Sequence, residues 1–365
     1  MVIEQFDLPL NNIVEITLIG TAGGYGESIV IHLGDQNWAV VDSCKDPHTG
    51  LSLPLDYLNS IGVDVANQVK LIVCTHWHND HIKGIANLFA ECKQSDFCFA
   101  PSTDVDKFLL FVQLEQLKKS DSQSTTEFAK CLEIAETRGK PIIRAMQDRT
   151  ILNLGDDSSK IYSLSPSDAT LKAYDIEISS LIDKVSSMGR IISEGPNSKS
   201  VALLLTFGKH SAILGADLEI SDNKFEGWIN ILDNSKVISP NNKASFFKIP
   251  HHGSSNGYEI RVWEELLTDT AIGKLTPYNK SKLPRDEMIA VYSNHTKHLY
   301  ATSSSTSGPK SKKRDRSIEK AIKDARPSLQ ELRFSKGIIR SRIDYTIDEA
   351  DWLVDTYGPA YHVNP

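Results

Sequence analysis

Six consecutive residues, His76, Trp77, His78, Asn79, Asp80 and His81, follow almost directly on the β-branched run Val69 to Cys74. An apolar strand that ends in three imidazoles and a carboxylate must leave the core there, because such groups are costly to bury without partners. Side chains of an extended segment alternate, so His76 and His78 point the same way. Asp80 and His81 then turn into a helix predicted over Ile82 to Glu91. Zinc takes neutral imidazoles and carboxylates, usually three or four protein groups per ion. The loop therefore reads as a compact metal-binding element, with Asp80 and His81 facing a second ion about 3.5–4 Å from the first. A polar loop that is rich in histidine by chance is the bland alternative. Four ligand-type residues directly after a buried strand weigh heavily against it.

The pattern around this loop is that of an α/β chain. Ile13 to Ile19 alternates and runs into Gly20, Gly23, Gly24 and Gly26; Ser28 to Leu33 and Trp38 to Val41 follow as short apolar strands. Together they predict an antiparallel meander, with the glycine-rich turn as a hairpin flanking the site. Leu51 to Ile61 has helical spacing, and residues 104–140 read as a helical insertion. A second strand-rich half begins near Ile142, with Thr150 to Leu154, Lys160 to Leu164, Val201 to Phe207, His210 to Leu214 and Ser245 to Ile249. Two β-rich halves with helices outside suggest a four-layer αββα sandwich in a single domain over 1–365, with 303–365 as a C-terminal extension packed on or beside the core.

Composition narrows the function class. A net charge of −7 and a pI near 5.9 argue against whole-surface attraction to nucleic acid, although a local basic groove remains open. The dense basic segment Lys310 to Arg316 follows a serine-rich stretch and reads as a solvated loop. The start of the chain lacks the basic and apolar regions of a signal peptide, and no run approaches the roughly 20 apolar residues that span a bilayer. Five scattered cysteines with no C-x-x-C pair fit reduced thiols. A cytoplasmic protein without a membrane partner is the expectation.

Three further segments follow in order: WAVVDSC with Asp42 at a strand end, SAILGADLE with Asp217, and KIPHHGSSNG with His251 and His252. Each alone reads as an ordinary turn. With THWHNDH, which matches H-x-H-x-D-H, they resemble the motif series of the metallo-β-lactamase superfamily over roughly residues 13 to 300. The branch most resembled is the soluble relatives of the hydrolase domain of competence DNA-uptake proteins, which pair an N-x-x-S-V-x-L-L-L strand, resembled here by NSKSVALLL, with L-x-G-D and H-H-G-S.

The resemblance implies the metallo-β-lactamase form of the αββα sandwich, two zinc ions, with manganese as the alternative metal, and hydrolysis by a metal-bound hydroxide. It assigns His76, His78, Asp80, His81, Asp217 and His252 to metal, with Asp217 bridging. Asp80, Asp42 and His251 are assigned to catalysis, Asp42 by orienting the loop without touching an ion. Strand register favours His252 over His251 as the ligand. The family's third-motif histidine is missing, since no histidine lies between His81 and His210. The first ion would then rely on His76, His78 and Asp217, with water or Asn197 completing its shell. Asn279, Lys280, Arg285, His298 and Thr302 are candidates for the pocket mouth.

A phosphodiester substrate, from a nucleic acid or nucleotide, is the first expectation, with Lys199, Lys248, Lys280 and Arg285 as phosphate-binding candidates. Hydrolysis of a carboxylic ester, thioester or lactone is the alternative, which a smooth apolar pocket would favour. A non-catalytic metal-binding subunit is the reading from another class. A protein partner in a multi-component system is a further expectation.

Overall fold

In a computed structural model of the chain, residues 6–22, 24–100, 110, 123–155, 159–186, 196–239, 241–304 and 336–363 are described. The β-branched and alternating runs pair into two sheets of eight strands. The first has the order β15-β14-β1-β2-β3-β4-β5-β6, with β1 Ile13–Thr21, β2 Glu27–Leu33, β3 Trp38–Val41, β4 Val69–Cys74, β5 Asp96–Phe99, β6 Ile143–Arg144, β14 Lys336–Asp344 and β15 Leu353–Tyr357. The second runs β16-β13-β12-β11-β10-β9-β8-β7, with β7 Arg149–Asn153, β8 Lys160–Ser163, β9 Leu203–Phe207, β10 His210–Leu214, β11 Ala244–Lys248, β12 Leu267–Leu275, β13 Leu299–Ala301 and β16 Tyr361–His362.

Alternation along the strands sorts the apolar side chains into separate cores. Val14, Ile16 and Leu18 of β1 and Ile29 and Ile31 of β2 meet Leu203, Leu205, Phe246 and Ile272 of the second sheet. Ile19, Val30, Val40 and Ile72 point the other way, onto helices Leu53–Ser60, Ile85–Glu91 and Gln123–Thr137. The outer face of the second sheet buries Trp228 and Tyr292 of helices Gly227–Asn234 and Asp286–His295. Helix, sheet, sheet and helix thus form the four-layer αββα sandwich. Among the described residues no helix is long and apolar enough to cross a membrane. All five cysteines are buried free thiols.

Several boundaries differ from the sequence reading. The helix after the metal-type loop is broken into Asn79–Ile82 and Ile85–Glu91, because Gly84 takes a left-handed φ of 84° between them. β12 ends at Leu275, and a loop follows. Only Gln123–Thr137 of the helical insertion 104–140, together with residue 110, shows helix among the described residues before the chain turns at Gly139. The basic segment Lys310 to Arg316 lies outside the described residues. Residues 303–365, read as an extension packed on or beside the core, supply strands to both sheets. β14 pairs with β1 over nine residues, from Ile13 with Asp344 to Thr21 with Lys336, and β16 pairs with β13.

One topological feature positions everything that follows. β3 to β6 are parallel in the first sheet, as are β10 to β13 in the second. Parallel strands gather their carboxyl ends on one side, where side chains from different strands converge. Asp42 follows β3, His76 follows β4, Asp217 follows β10 and His252 follows β11.

Candidate metal centre

Those strand ends bring the six expected donors into two clusters that share one carboxylate. His76, His78 and Asp217 form the first and Asp80, His81, Asp217 and His252 the second, with the donor atoms of each cluster all within 4.8 Å of one another. In the first, His76 Nε2 lies 3.1 Å from His78 Nδ1 and 3.7 Å from Asp217 Oδ2. In the second, His252 Nε2 lies 3.2 Å from Asp80 Oδ2 and 3.6 Å from Asp217 Oδ2, and His81 Nε2 lies 3.4 Å from Asp217 Oδ1. An ion bonded at about 2.0–2.2 Å to tetrahedral donors holds them about 3.3–3.6 Å apart. The donor separations, from 3.1 to 3.7 Å, bracket that range. Two of these atoms, His81 Nε2 and Asp217 Oδ1, are buried without a hydrogen-bond partner among the described residues. Buried polar atoms in folded proteins are rarely left so. The donor set therefore fits divalent ions.

The strand-end turns aim the side chains at some conformational cost. Asp42, Ala216, His251 and His252 all have left-handed φ values, between 45° and 60°. Such backbone is disfavoured for residues with a Cβ and tends to occur where a site demands it. Gly26, at the end of the β1–β2 hairpin, packs so closely that a Cβ there would lie 3.1 Å from the Asp80 carbonyl and 2.6 Å from Cys44 Cβ. The glycine-rich hairpin flanks the metal-type loop for that reason.

Asp42 does not belong to either cluster. Its Oδ2 accepts from His81 Nδ1 at 2.7 Å and from the Thr75 hydroxyl at 2.6 Å, and its Oδ1 accepts from the Thr75 amide at 2.7 Å. Because the Thr75 hydroxyl donates to Asp42, it is left to accept from His76 Nδ1, 3.0 Å away. One carboxylate thus fixes the tautomers of His76 and His81, leaving the Nε2 lone pair of each facing the centre.

Burial, aided by the neighbouring His81, pushes His76 well below the ordinary imidazole range, and burial also lowers His78, so both present neutral donors. Burial acts the same way on His81 and His252. There the carboxylates win: Asp217, Asp80 and Asp42 raise His81, and Asp217, Asp80 and Glu27 raise His252. Burial likewise opposes charge on Asp80 and Asp217, yet the surrounding imidazoles hold both below the usual carboxylate range. Bound cations would take over the charge balance that the His81 and His252 imidazoles supply to these carboxylates.

Sequence reasoning missed the layer behind the donors. Glu27, the first residue of β2, forms a buried ion pair with Lys248, the last residue of β11. Its two oxygens also lie 3.9 Å from His81 Nδ1 and 3.8 Å from His252 Nδ1. His252 Nδ1 is itself 2.9 Å from the Thr276 carbonyl just beyond β12. A lone carboxylate in the apolar run ESIVIHL was the available signal. Lys248 is therefore no phosphate-binding cation: it is fully buried, and its ammonium also donates to the Ala216 carbonyl at 3.2 Å. Lys199 pairs with Glu177 and lies 4.3 Å over the Tyr174 ring. Lys280 and Arg285 are exposed.

His251 stands outside both clusters. Its Nδ1 lies 2.8 Å from Asn256 Oδ1 and 3.2 Å from Glu219 Oε1, and its Nε2 lies 3.1 Å from Asn197 Nδ2. Of the residues expected at the pocket mouth, Asn279 is tied to the hairpin through its amide, which donates to the Gly24 carbonyl. Thr302 is instead buried against Gly20, and His298 precedes β13 at the strand end away from the centre. A cleft beside His76 is lined by Trp77, Phe99, Phe128, Tyr174 and Lys199.

No family model and no curated protein matches the chain. Solved structures do. The chain is similar to the metallo-β-lactamase fold protein YhfI from Bacillus subtilis, at 15% identity over 65% of this chain and 70% of that one, with a TM-score of 0.34. It is similar to the short form of human tRNase Z at 10% identity, over 78% and 90% of the two chains, with a TM-score of 0.35. A HARLDQ-motif mutant of a metallo-β-lactamase from Cronobacter sakazakii gives 14% identity, over 64% and 75%, with a TM-score of 0.35.

Proposed function

We propose that the chain is a metal-dependent hydrolase that holds two divalent ions, zinc or alternatively manganese, and cleaves a phosphodiester bond. The observation that carries the reading is the pair of donor clusters meeting at Asp217. When bound, such ions lower the pKa of water toward neutrality and polarise a phosphoryl or carbonyl oxygen. His76, His78 and Asp217 would hold one ion, and Asp80, His81, Asp217 and His252 the other. Asp42 and Thr75 keep the imidazoles in the ligating tautomer. His251, half-buried, has both ring nitrogens engaged by Asn256, Glu219 and Asn197, so the catalytic role expected of it would be a positioning one.

The phosphodiester choice rests on the chemistry of two adjacent cations, which suits a doubly charged transition state, and on the resemblance to the hydrolase domain of competence DNA-uptake proteins. A nucleic acid or a nucleotide is the proposed substrate class, and the cytoplasm is the proposed location. The withdrawal of Lys199 and Lys248 into ion pairs removes two phosphate-binding candidates and so favours a second reading, hydrolysis of a carboxylic ester, thioester or lactone. Metal-replete protein assayed on bis-p-nitrophenyl phosphate, single-stranded DNA, RNA and a lactone decides between them. Turnover of the phosphodiesters alone supports the first reading. Turnover of the lactone alone replaces it with the second, and no turnover on any of them argues for a metal-binding subunit without catalysis.

A further inference from the structure

The rim of the centre carries a feature that neither donor cluster uses. The loop after β12 closes as a small hairpin: the Tyr278 amide donates to the Leu283 carbonyl at 2.9 Å, and the Leu283 amide donates back to the Tyr278 carbonyl at 3.0 Å. That closure fixes Tyr278 at the base of the hairpin and puts Asn279 to Lys282 at its tip. The Tyr278 ring stacks on the His252 ring, with centroids 5.1 Å apart and planes 22° from parallel. One face of the tyrosine is thus occupied by a metal-type donor, yet the residue is only half-buried.

The β1–β2 turn docks against this loop. The Asn279 amide donates to the Gly24 carbonyl at 3.2 Å, and Gly24, with a left-handed φ of 64°, sits so close that a Cβ there would lie 2.7 Å from the Pro277 carbonyl oxygen. The next residue, Tyr25, is held through its amide, which donates to Thr21 Oγ1 at 2.7 Å, while the residue is 59% exposed. Backbone contacts therefore bring two tyrosines from separate segments to one rim. Lys280 and Lys282, at the hairpin tip, are exposed and have no ion-pair partner among the described residues. The positive charge belongs to the tip, since Asp286 and Glu287 follow Arg285 at the start of the next helix. Packing does not account for Tyr25, more than half of which is in water. Aromatic rings beside unpaired cations are the combination that grips single-stranded nucleic acid, where bases stack on the rings and phosphates lie against the cations. A duplex, whose bases already stack on one another, offers such rings no free face.

We infer that Tyr278 and Tyr25 form a stacking rim for unpaired bases and that Lys280 and Lys282 hold phosphates of the same strand, so that the substrate is a single-stranded nucleic acid. The inference rests on the phosphodiester reading above and narrows it. A base stacked on Tyr278 is separated from His252 by the thickness of one ring, and its phosphate is then within reach of the ions.

Binding measured apart from turnover tests this. Full-length protein, depleted of metal so that no strand is cleaved, is titrated into labelled oligothymidylate, the matching oligouridylate and an abasic strand with the same phosphates, and anisotropy is read. At least one base-bearing strand should bind about tenfold or more tighter than the abasic one, and a difference between the first two tells DNA from RNA. Tyr25→Ala and Tyr278→Leu should each weaken the base-bearing strand by about 10–100-fold and leave the abasic strand unchanged. Tyr278→Phe keeps the ring and should keep the preference for bases. Replacing both Lys280 and Lys282 by Gln should weaken all the strands alike and reduce the slope of log affinity against log salt by about 1.4. Because Tyr25 is exposed, Tyr25→Ala keeps the test decisive if Tyr278→Leu, which uncovers His252, does not fold. Equal affinity for base-bearing and abasic strands, or wild-type affinity in Tyr25→Ala, would overturn the inference, as would no binding of any strand. Turnover of bis-p-nitrophenyl phosphate by the metal-replete wild type would then leave the phosphodiester reading standing, and its absence would overturn that reading separately.

Discussion

The Asp42 carboxylate lies 2.7 Å from His81 Nδ1 and reaches His76 through the Thr75 hydroxyl, so one buried acid sets an imidazole in each donor cluster. Asp42→Asn should lower affinity for both ions, by about 10–100-fold, without unfolding the chain. Thr75→Val breaks only the branch to His76 and should weaken the first ion alone. Metal titration of the two variants separates the effects. Wild-type affinities in Asp42→Asn would show that the acid orients nothing.

Asp217 presents Oδ2 to His76 and His252 and Oδ1 to His81. A carboxylate can donate to two cations while offsetting their repulsion. Asp217→Ala should leave at most one ion bound and collapse turnover. Asp217→Glu should keep metal but misplace it, costing on the order of 100-fold in rate, as a displacement of about 1 Å can. Elemental analysis with steady-state assays checks both. Two ions and near-normal turnover in Asp217→Asn would reduce Asp217 to a turn residue.

The ion pair of Glu27 and Lys248 is sealed between the sheets beneath His81 and His252. Removing one partner of such a pair leaves an uncompensated charge, so Lys248→Met should destabilise the fold by about 3–5 kcal/mol. Replacing Glu27 by Leu in the same chain should recover much of that loss. Denaturant unfolding of the single and double variants measures it. Equal destabilisation in the two would mean the charges are not coupled.

Lys274 is buried between the Phe246 and Tyr300 rings, and its Nζ has no hydrogen-bond partner among the described residues. Burial drives its pKa well below the ordinary lysine value. The unfolded chain then binds the extra proton between the folded pKa and about 10.4, so this group makes stability rise with pH across that window. Lys274→Met should stabilise the protein at neutral pH, by about 1–3 kcal/mol, with the advantage shrinking as pH approaches 10. Unfolding free energies at pH 7 and pH 9.5 check the sign. A destabilised Lys274→Met at pH 7 would contradict it.

Much of the architecture was legible because its signals are local. The β-branched run before Thr75 and the alternation of β1 and β2 state their own burial, and the metal-type loop is contiguous. Asp42, Asp217 and His252 were legible as strand-end residues because each follows a short apolar run. What escaped are relationships between distant residues. The hydroxyl of Thr75 matters only because Asp42 lies beside it, and Glu27 and Lys248 look like a stray acid and a surface cation until β2 and β11 face one another. KGIIRSRID, with charges among its apolar residues, does not announce that it pairs with β1. Its Arg340 is completely buried against Glu15, so two charges on neighbouring strands satisfy each other inside the fold.

The most direct test of the account is anomalous diffraction at the zinc edge from crystals of metal-replete protein. Two peaks are expected about 3.5–4 Å apart, one beside His76 and His78, the other beside Asp80, His81 and His252, with the Asp217 carboxylate between them. A single peak, no peak, or density away from Asp217 would contradict the claim that this chain is built around a shared two-ion centre.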